Sequence, residues 1–185
     1  MTEPLPRTLV LVGAPGAGKS TVGARLARRL GMDFTDVDAL VEQRAGKPIP
    51  EIFLVDGEPA FRELERATTL EQVGRPGVVS LGGGAVMDPA IREALAGHTV
   101  IWLDVTAQQA SRRVGLTGNS RPLLAGGNVH STMVRLMNQR LPLYQEVATH
   151  RIDTNGLKPA GVARQVLALL GVSDQDAEPH EPEEA

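Results

Sequence analysis

The alternation of short apolar segments with helical patterns predicts an α/β fold, in which helices cover both faces of one parallel sheet. Five segments have the length and composition of buried strands: residues 8–12, 34–38, 77–81, 98–105 and 148–153. Helical spacing of apolar residues marks the segments between and after them: 19–30, 37–44, 59–73, 89–96, 107–114, 132–144 and 159–170. Strands that alternate with helices form parallel sheets buried on both faces. The chain is therefore predicted to be a three-layer α/β/α sandwich around a five-stranded parallel sheet.

The length and composition predict one globular domain. Of the 185 residues 42% are hydrophobic and 22% charged. No apolar run approaches the roughly 18 residues that span a bilayer, and the first residues do not have the pattern of a signal peptide. The absence of cysteine excludes disulfides and cysteine-based sites and suits a reducing compartment. We expect a cytoplasmic monomer with a single domain over residues 1–172 and no membrane partner.

Charge is distributed unevenly along the chain. Residues 173–185 contain six acids and no lysine or arginine, while the whole chain has a net charge of −3, so the preceding residues carry +3. A mildly basic body suits anionic small ligands but lacks the dense basic patches of a nucleic-acid-binding protein. Residues 173–185 show no apolar periodicity and are predicted to be a disordered acidic tail.

A glycine-rich motif joins the first predicted strand to the first predicted helix. Residues 13–20 read GAPGAGKS and match G-x-x-x-x-G-K-[ST] in the strand-to-helix context that this nucleotide-binding motif requires. The glycines let backbone N–H groups and the helix N terminus point at a phosphate. Lys19 is expected to reach the β- and γ-phosphates, and the Ser20 hydroxyl to coordinate Mg²⁺. A glycine turn that binds nothing is the alternative, and the motif alone does not distinguish a kinase from a GTPase or a motor ATPase.

Two aspartates, Asp36 and Asp38, lie at the end of the second predicted strand. Because side chains two residues apart in a strand point to the same side, both carboxylates are expected to face one way. One of them would hold Mg²⁺ through its water shell, and the other would accept a proton or hydrogen bond from an acceptor hydroxyl. The alternative is that both are ordinary acids at the start of the next helix.

Three further features have both a structural and a functional interpretation. Arg62 and Glu65 are i, i+3 neighbours on a predicted helix and would pair on a solvated face if they had no other role. Arg140 would ordinarily be a surface arginine. The SLGGG segment at residues 80–84 is either a flexible turn or a place where a ligand approaches the backbone beyond a strand end.

Taken together, these motifs resemble the shikimate kinase family over residues 9–170. The matching segments are GAPGAGKS (13–20), the Asp36 and Asp38 pair, IFLVDGEPAFRELE (52–65), SLGGGAV (80–86), RPLL (121–124), RLPLY (140–144) and DTN (153–155). The first motif is shared by many nucleotide-binding proteins, whereas the combination of FRELE, GGGAV and RPLL is specific. The resemblance implies a P-loop kinase fold with the strand order 2-3-1-4-5, as in nucleoside monophosphate kinases.

The resemblance also implies two specialised segments within the domain. One is a helical substrate-binding insertion at residues 38–73, and the other is a lid at residues 115–130. The lid segment has the composition of a loop by itself, with four glycines, two asparagines and one proline in 16 residues. A loop of that length in a compact domain is often functional.

By resemblance, several residues would contact the acceptor. The substrate-binding residues would be Asp38, Arg62, Gly83 and Arg140. The two arginines would hold the shikimate carboxylate, a role for which their planar, permanently charged forks are suited. Catalysis would depend on Lys19, Asp38 and Arg121, with Arg121 on the lid against the ATP phosphates.

The nucleotide and metal side is implied in the same way. Adenine would lie between Arg113 and the segment after Asn155, where Leu157 is less polar than in many relatives and is not expected to contact the base through its side chain. Ser20 and Asp36 would hold Mg²⁺. The full set of ATP-binding residues would be Gly16, Ala17, Gly18, Lys19, Ser20, Thr21, Arg113 and Arg121.

The reaction implied is transfer of phosphate from ATP to the 3-hydroxyl of shikimate, giving ADP and 3-phosphoshikimate in chorismate and aromatic amino-acid synthesis. A kinase of the same fold that acts on gluconate or a nucleoside monophosphate is the alternative, and the pairing of FRELE with GGGAV favours shikimate. A GTPase-type module would need a guanine-reading N-K-x-D segment, which the sequence does not contain.

Overall fold

The computed structural model describes residues 6–117 and 129–172. In these residues one parallel sheet lies between two helical layers. The strands are β1 (Thr8–Val12), β2 (Phe34–Asp36), β3 (Gly77–Ser80), β4 (Thr99–Asp104) and β5 (His150–Asp153). They lie in the order β2-β3-β1-β4-β5, and all neighbouring strands are parallel. The predicted fold class and strand order are confirmed.

The helices follow the predicted alternation with one addition. They are α1 (Lys19–Leu30), α2 (Val37–Ala45), α3 (Ile49–Val55), α4 (Gly57–Val73), α5 (Pro89–Ala94), α6 (Ala107–Thr117), α7 (Val129–Val147) and α8 (Pro159–Leu169). A 3₁₀ turn, Ala85–Met87, follows β3 after the triple glycine. The sequence did not predict α3, because its seven residues are too few to show a helical repeat. The predicted bounds of β1 and α1 match those of the structure.

Side chains alternate across the sheet and fill two cores. All five residues of β1 are buried, because β1 is the central strand. Leu9 and Leu11 pack into a core with α1, α6, α7 and α8, whereas Val10 and Val12 pack into a core with α2, α3, α4, α5 and α7. This alternation is the two-residue period of a strand, and it explains why both helical layers are needed to bury the sheet.

The topology brings several polar segments to one edge of the sheet. Because all the strands are parallel, their carboxyl ends meet at the same edge. The glycine-rich loop follows β1, Asp36 ends β2, the triple glycine follows β3, and Thr154 follows β5. In open α/β sheets ligands bind at this edge, where neighbouring strands continue in opposite directions around the sheet. The site is therefore expected beyond the end of β1, which lies between β3 and β4.

Some predicted features fall outside the described residues. The predicted acidic tail at residues 173–185 lies wholly outside them, as do most of the predicted lid at residues 115–130 and its Arg121. The predicted substrate-binding insertion corresponds to α2, α3 and α4, which join β2 to β3. Within residues 6–117 and 129–172 the structure contains no helix that is both long enough and apolar enough to cross a bilayer.

Candidate active site

The loop between β1 and α1 has a backbone that favours glycine. Gly16 and Gly18 have φ angles of 81° and 94°, in the left-handed region, and a Cβ on Gly16 would lie 2.7 Å from the Ala110 carbonyl oxygen. Helix α1 begins directly after Gly18, and no side chain caps its first turn. Uncapped N–H groups at a helix N terminus attract anions. The loop geometry therefore suits a bound phosphate.

Lys19 lies along this loop. Its Nζ donates hydrogen bonds to the carbonyl oxygens of Gly13, at 2.8 Å, and Ala14, at 3.1 Å, and the side chain is buried. These contacts hold the ammonium group beside the loop that would wrap a phosphate. A positive charge in that position is expected to interact strongly with anionic oxygens, because burial reduces the screening of the charge by water.

A cavity of about 470 Å³ opens beside the loop at the carboxyl edge of the sheet. Its size is within the range of small-molecule sites. Its walls come from the loop, the end of β2, the end of β3, and the segments around Arg113 and Thr154. The cavity brings together nine predicted site residues: Gly16, Ala17, Gly18, Lys19, Ser20, Thr21, Asp36, Asp38 and Arg113.

The sequence suggested that Asp36 and Asp38 lie on one strand, but the structure places only Asp36 on it. Strand β2 ends at Asp36, which is the N-cap of α2 and accepts a hydrogen bond of 3.2 Å from the Ala39 backbone N–H, while Asp38 lies in the first turn of α2. Both carboxylates nevertheless line the cavity. Both carboxylates were predicted to face one way because of strand alternation. In the structure the turn from strand to helix brings them to the same cavity instead.

Ser20 and Asp36 form the oxygen pair predicted to hold magnesium. The Ser20 hydroxyl donates a short hydrogen bond to the Asp36 carboxylate, and both residues line the cavity. No group of three or more His, Cys, Asp or Glu residues with metal-site geometry occurs in the part of the chain that the structure describes. Mg²⁺ is usually bound by one or two carboxylates together with waters and substrate phosphates. A hydroxyl–carboxylate pair next to a phosphate loop therefore fits this ion.

Arg62 and Glu65 form an ion pair that is not on a solvated face. Arg62 Nη1 donates to Glu65 Oε2 at 2.6 Å, and Arg62 Nε and Nη2 also contact Glu58 Oε1 at 3.2 and 3.1 Å. Glu65 is only 2% exposed, since it belongs to the buried face of α4. The alternative of a pair on a solvated face therefore does not hold, because Glu65 is buried. A buried carboxylate of this kind fixes the orientation of the arginine that it contacts.

The charges around Glu65 identify a shared electrostatic environment. Burial raises the pKa of Glu65 above its ordinary value, and the nearby Asp38 raises it further. The charge and hydrogen bond of Arg62 and the charge of Arg140 act in the opposite direction and lower it. Four titratable groups from α2, α4 and α7 therefore lie close enough to influence one another.

Arg140 is a buried residue of α7, although its motif alone suggested a surface arginine. It is 3% exposed, and its Nη1 donates a hydrogen bond of 3.1 Å to the Gly83 carbonyl oxygen. Its Nε is buried and has no hydrogen-bond partner among the described residues. Buried polar groups are nearly always hydrogen-bonded. An unpartnered N–H on a buried, permanently charged side chain therefore points to an anionic ligand.

The triple glycine is the meeting point of these groups. A Cβ on Gly82 would overlap a Glu65 carboxylate oxygen and would lie 2.6 Å from Asp38 Oδ1, and a Cβ on Gly84 would lie 2.7 Å from Arg62 Nη1. Arg140 contacts the intervening Gly83. The turn therefore places Arg62 and Arg140, 78 positions apart in the sequence, around one short piece of backbone.

The structure thus divides the predicted site residues into two adjacent groups. The nucleotide-side residues line the 470 Å³ cavity, whereas Arg62, Gly83 and Arg140 are not on its walls. Asp38 joins the groups, because it lines the cavity and also lies next to Gly82. A molecule held by the arginines would therefore be adjacent to the phosphate loop, with Asp38 between them.

Arg113 connects the loop to the end of the sheet. Its Nη1 donates to the Gly16 carbonyl oxygen at 3.2 Å, and its Nη2 donates to the Thr154 carbonyl oxygen at 2.8 Å. Leu157 lines the cavity beside them, although the sequence had not suggested a side-chain contribution there. This end of the cavity has an arginine and an apolar surface, which suit the flat face of a base.

Neither the burial of Glu65 nor the contact of Thr154 with Arg113 was predicted from the sequence. For Glu65 a signal was present: Phe61, Glu65, Thr68 and Gln72 recur at helical spacing and form the buried face of α4. A polar residue in a stripe that also contains Phe61 indicates buried polar contacts rather than a solvated pair. For Thr154, the DTN motif marked the segment but did not indicate its contact with Arg113.

The raised pKa of Glu65 predicts a specific pH dependence of stability. Because the folded protein binds this proton more tightly than the unfolded chain, Glu65 contributes stability that is fully present below its ordinary pKa of 4.5. That contribution is lost as pH rises through the higher folded-state pKa. In Glu65→Gln we expect this component to disappear, so that wild-type stability relative to the variant falls with rising pH. Urea unfolding at a series of pH values measures it.

Glu71→Gln provides a control on the same helix. The hydrogen bond from Arg44 lowers the pKa of the half-exposed Glu71, so its contribution is present above the ordinary pKa and is lost as pH falls. The two variants should therefore differ from wild type with opposite dependences on pH. Parallel curves for Glu65→Gln and wild type would contradict the prediction.

A phosphate loop after the central strand of a 2-3-1-4-5 sheet, adjacent to an acceptor-side carboxylate, defines a P-loop kinase. The shikimate kinase family model matches residues 15–171. Shikimate kinase from Mycobacterium avium is 50% identical over 170 residues, covering 89% of this chain and 94% of the relative, and that from Rhodococcus jostii is 48% identical over 162 residues, covering 87% and 96%. The chain belongs to the shikimate kinase family.

A solved structure supports the same assignment. Shikimate kinase from Acinetobacter baumannii in complex with shikimate superposes on this chain with a TM-score of 0.86 at 38% identity. The match covers 91% of this chain and 94% of that structure. The family resemblance inferred from the motifs, and with it the enzyme class of a kinase, is confirmed.

Proposed function

We propose that this chain transfers the γ-phosphoryl group of ATP to the 3-hydroxyl of shikimate, giving ADP and 3-phosphoshikimate in chorismate and aromatic amino-acid synthesis. The observation that carries the proposal is the convergence of Arg62 and Arg140 on the triple-glycine turn, next to Asp38 and the phosphate loop. An acceptor with a carboxylate and neighbouring hydroxyls fits this arrangement. The relative from Acinetobacter baumannii was solved with shikimate bound.

Acceptor binding is assigned to Arg62, Gly83 and Arg140, the site residues that do not line the 470 Å³ cavity. Arg62 and Arg140 hold the carboxylate, since guanidinium groups form two-pronged, charge-assisted hydrogen bonds with it. Glu65 orients Arg62 through the 2.6 Å ion pair, and the Gly83 carbonyl orients Arg140. The buried and unpartnered Nε of Arg140 gains an acceptor when the carboxylate binds. Gly83 lets the turn pack against Pro15 of the phosphate loop, since a Cβ on it would lie 2.9 Å from Pro15 Cδ, and we propose that its backbone borders the acceptor.

Phosphoryl transfer is assigned to the groups between the cavity and the turn. Asp38 orients the 3-hydroxyl and accepts its proton, since it lies next to both the turn and the cavity. Lys19 stabilises the charge that spreads over the transferring phosphoryl oxygens. Arg121, which lies outside the described residues, is proposed to add a second positive charge from the lid. Positioning and charge stabilisation are the main contributions of a protein to this chemistry.

ATP is held along the cavity. The phosphates lie against residues 16–21, where backbone N–H groups of the loop and of the start of α1 face them. Adenine lies at the end formed by Arg113 and the segment after Asn155. Ser20 and Asp36 hold Mg²⁺, which neutralises phosphate charge when it is bound. We place the enzyme in the cytoplasm as a monomer, a location that suits its lack of cysteine.

The proposal is tested by ADP release with MgATP and a panel of acceptors: shikimate, quinate, gluconate and two nucleoside monophosphates. We expect turnover on shikimate to exceed that on every other acceptor. Gluconate is the informative competitor, because it also offers a carboxylate to the arginines. Turnover on gluconate or a nucleotide without turnover on shikimate would show that the acceptor has been misassigned while the kinase class stands.

A further inference from the structure

Tyr144 makes a buried contact with the triple-glycine turn, although it is not among the predicted site residues. It lies one helical turn after Arg140 on α7 and is 2% exposed. Its hydroxyl donates a hydrogen bond of 2.6 Å to the Gly83 carbonyl oxygen, which is the same atom that accepts from Arg140 Nη1 at 3.1 Å. Two side chains of one helix therefore share a single acceptor on the turn.

The two hydrogen bonds to the Gly83 carbonyl oxygen constrain the peptide that joins Gly83 to Gly84. A peptide bond is planar and trans, so a fixed Gly83 carbonyl also fixes the Gly84 N–H, which points away from Arg140 and Tyr144. The Gly84 Cα lies beside the Arg62 guanidinium, because a Cβ there would be 2.7 Å from Nη1. The orientation of this peptide therefore affects the surroundings of both arginines.

The ring of Tyr144 has a defined position for this task. It stacks on Trp102 of β4, with ring centroids 6.1 Å apart and an interplanar angle of 22°. Trp102 in turn lies under the Arg151 guanidinium, 4.9 Å from the ring centroid. Elsewhere the ring borders a cavity of about 90 Å³ that extends to Ala14 of the phosphate loop. The stacking on Trp102 and the burial of Tyr144 therefore hold its hydroxyl at the Gly83 carbonyl.

We infer that Tyr144 is a positioning residue for the acceptor site: its hydroxyl, together with Arg140, holds the Gly83–Gly84 peptide so that the two arginines are already aligned for a carboxylate. This inference rests on the proposed function. It assigns Tyr144 no contact with the acceptor. Its effect passes through the turn and Arg140 and is specific to the carboxylate end of the acceptor.

The variant Tyr144→Phe removes the hydroxyl and keeps the ring. The loss of one hydrogen bond is expected to raise KM for shikimate about 3- to 10-fold, while KM for ATP and kcat change by less than about twofold. Thr8→Val is the matched control, because Thr8 is also a buried hydroxyl that donates to a backbone carbonyl, that of Arg75 at 2.8 Å, but at the opposite edge of the sheet. It should lose similar stability without any change in either KM.

An acceptor with the carboxylate replaced by a neutral amide separates positioning from general destabilisation. Tyr144→Phe should weaken binding of shikimate by more than it weakens binding of the amide. Equal losses for both acceptors, an unchanged KM for shikimate, or equal rises in KM for shikimate and ATP would each overturn the inference. If the wild-type protein did not turn over shikimate, the proposed function would fail together with this inference. If the wild type were active and Tyr144→Phe had the same KM for shikimate, only this inference would fail.

A spectroscopic measurement avoids reliance on the folding of the variant. Tyr144 is the only tyrosine of the chain, so wild-type protein labelled with 3-fluorotyrosine gives one ¹⁹F resonance. We expect shikimate to shift this resonance and the neutral amide to shift it less, because the carboxylate acts on Arg140 and thus on the shared acceptor. A resonance that does not respond to saturating shikimate would contradict the inference.

Discussion

Lys19→Ala and Asp38→Asn are each expected to lower kcat by about 100- to 1,000-fold or more. Lys19 is buried beside the phosphate loop, so its loss removes charge stabilisation that water does not replace. Asp38 lies between the loop cavity and the triple-glycine turn, so its loss removes the group that orients the acceptor hydroxyl. Steady-state rates with saturating ATP and shikimate measure both effects.

An ion pair between the residues that flank α3 provides matched controls for these substitutions. Lys47 Nζ and Asp56 Oδ2 are 2.6 Å apart and line neither cavity. Lys47→Ala and Asp56→Asn should leave kcat close to wild type, although they make the same chemical changes. If Asp38→Asn turned over shikimate at nearly the wild-type rate, the role assigned to Asp38 would be lost.

Arg62→Ala and Arg140→Ala are each expected to raise KM for shikimate by one to three orders of magnitude while leaving ATP binding nearly intact. Removing one partner of a desolvated, hydrogen-bonded charge pair costs about 2 to 5 kcal/mol, and about 1.4 kcal/mol corresponds to one decade. Arg→Lys should also be costly, because lysine does not reproduce the planar two-pronged contact. Initial rates with shikimate varied at saturating ATP, and the reverse, separate the two KM values.

Each arginine has a control on its own helix. Arg66 follows Arg62 by one turn of α4 and pairs with Asp88 on the surface, and Arg135 is an exposed residue of α7. Arg66→Ala and Arg135→Ala should change KM for shikimate by less than about twofold, since surface pairs contribute little. A rise in KM for the controls equal to that for Arg62→Ala or Arg140→Ala would indicate a general electrostatic effect instead of a specific clamp.

The elements with local signals were predictable from the sequence. The apolar run of β1, the glycine motif and the periodic α1 form one continuous unit whose bounds the structure confirms. The end of β2 was not predictable in the same way, because Asp36 is both its last residue and the cap of α2. A single residue with both roles leaves no break in the sequence pattern between strand and helix.

The environment of the charged site residues depends on distant parts of the chain. Arg140 is buried against Gly83, 57 positions away, and Glu65 is buried near Gly82 and Asp38. Local spacing predicts a solvated pair for Arg62 and Glu65, since i, i+3 charges usually lie on an exposed face. The family resemblance implied the convergence of the two arginines, but the burial of Arg140, the ion pair of Arg62 with Glu65 and the contact of Tyr144 required the tertiary structure.

Binding of shikimate and of its neutral carboxamide to wild type, Arg62→Ala and Arg140→Ala tests the central claim most directly, because it isolates the interaction between the arginines and the carboxylate. We predict that wild type binds the carboxamide poorly and that removal of either arginine reduces this weak binding little further, although the same substitution greatly reduces shikimate binding. An equal loss for the carboxamide and for shikimate on removal of an arginine would show that this arginine does not read the carboxylate, which would contradict the proposed acceptor site.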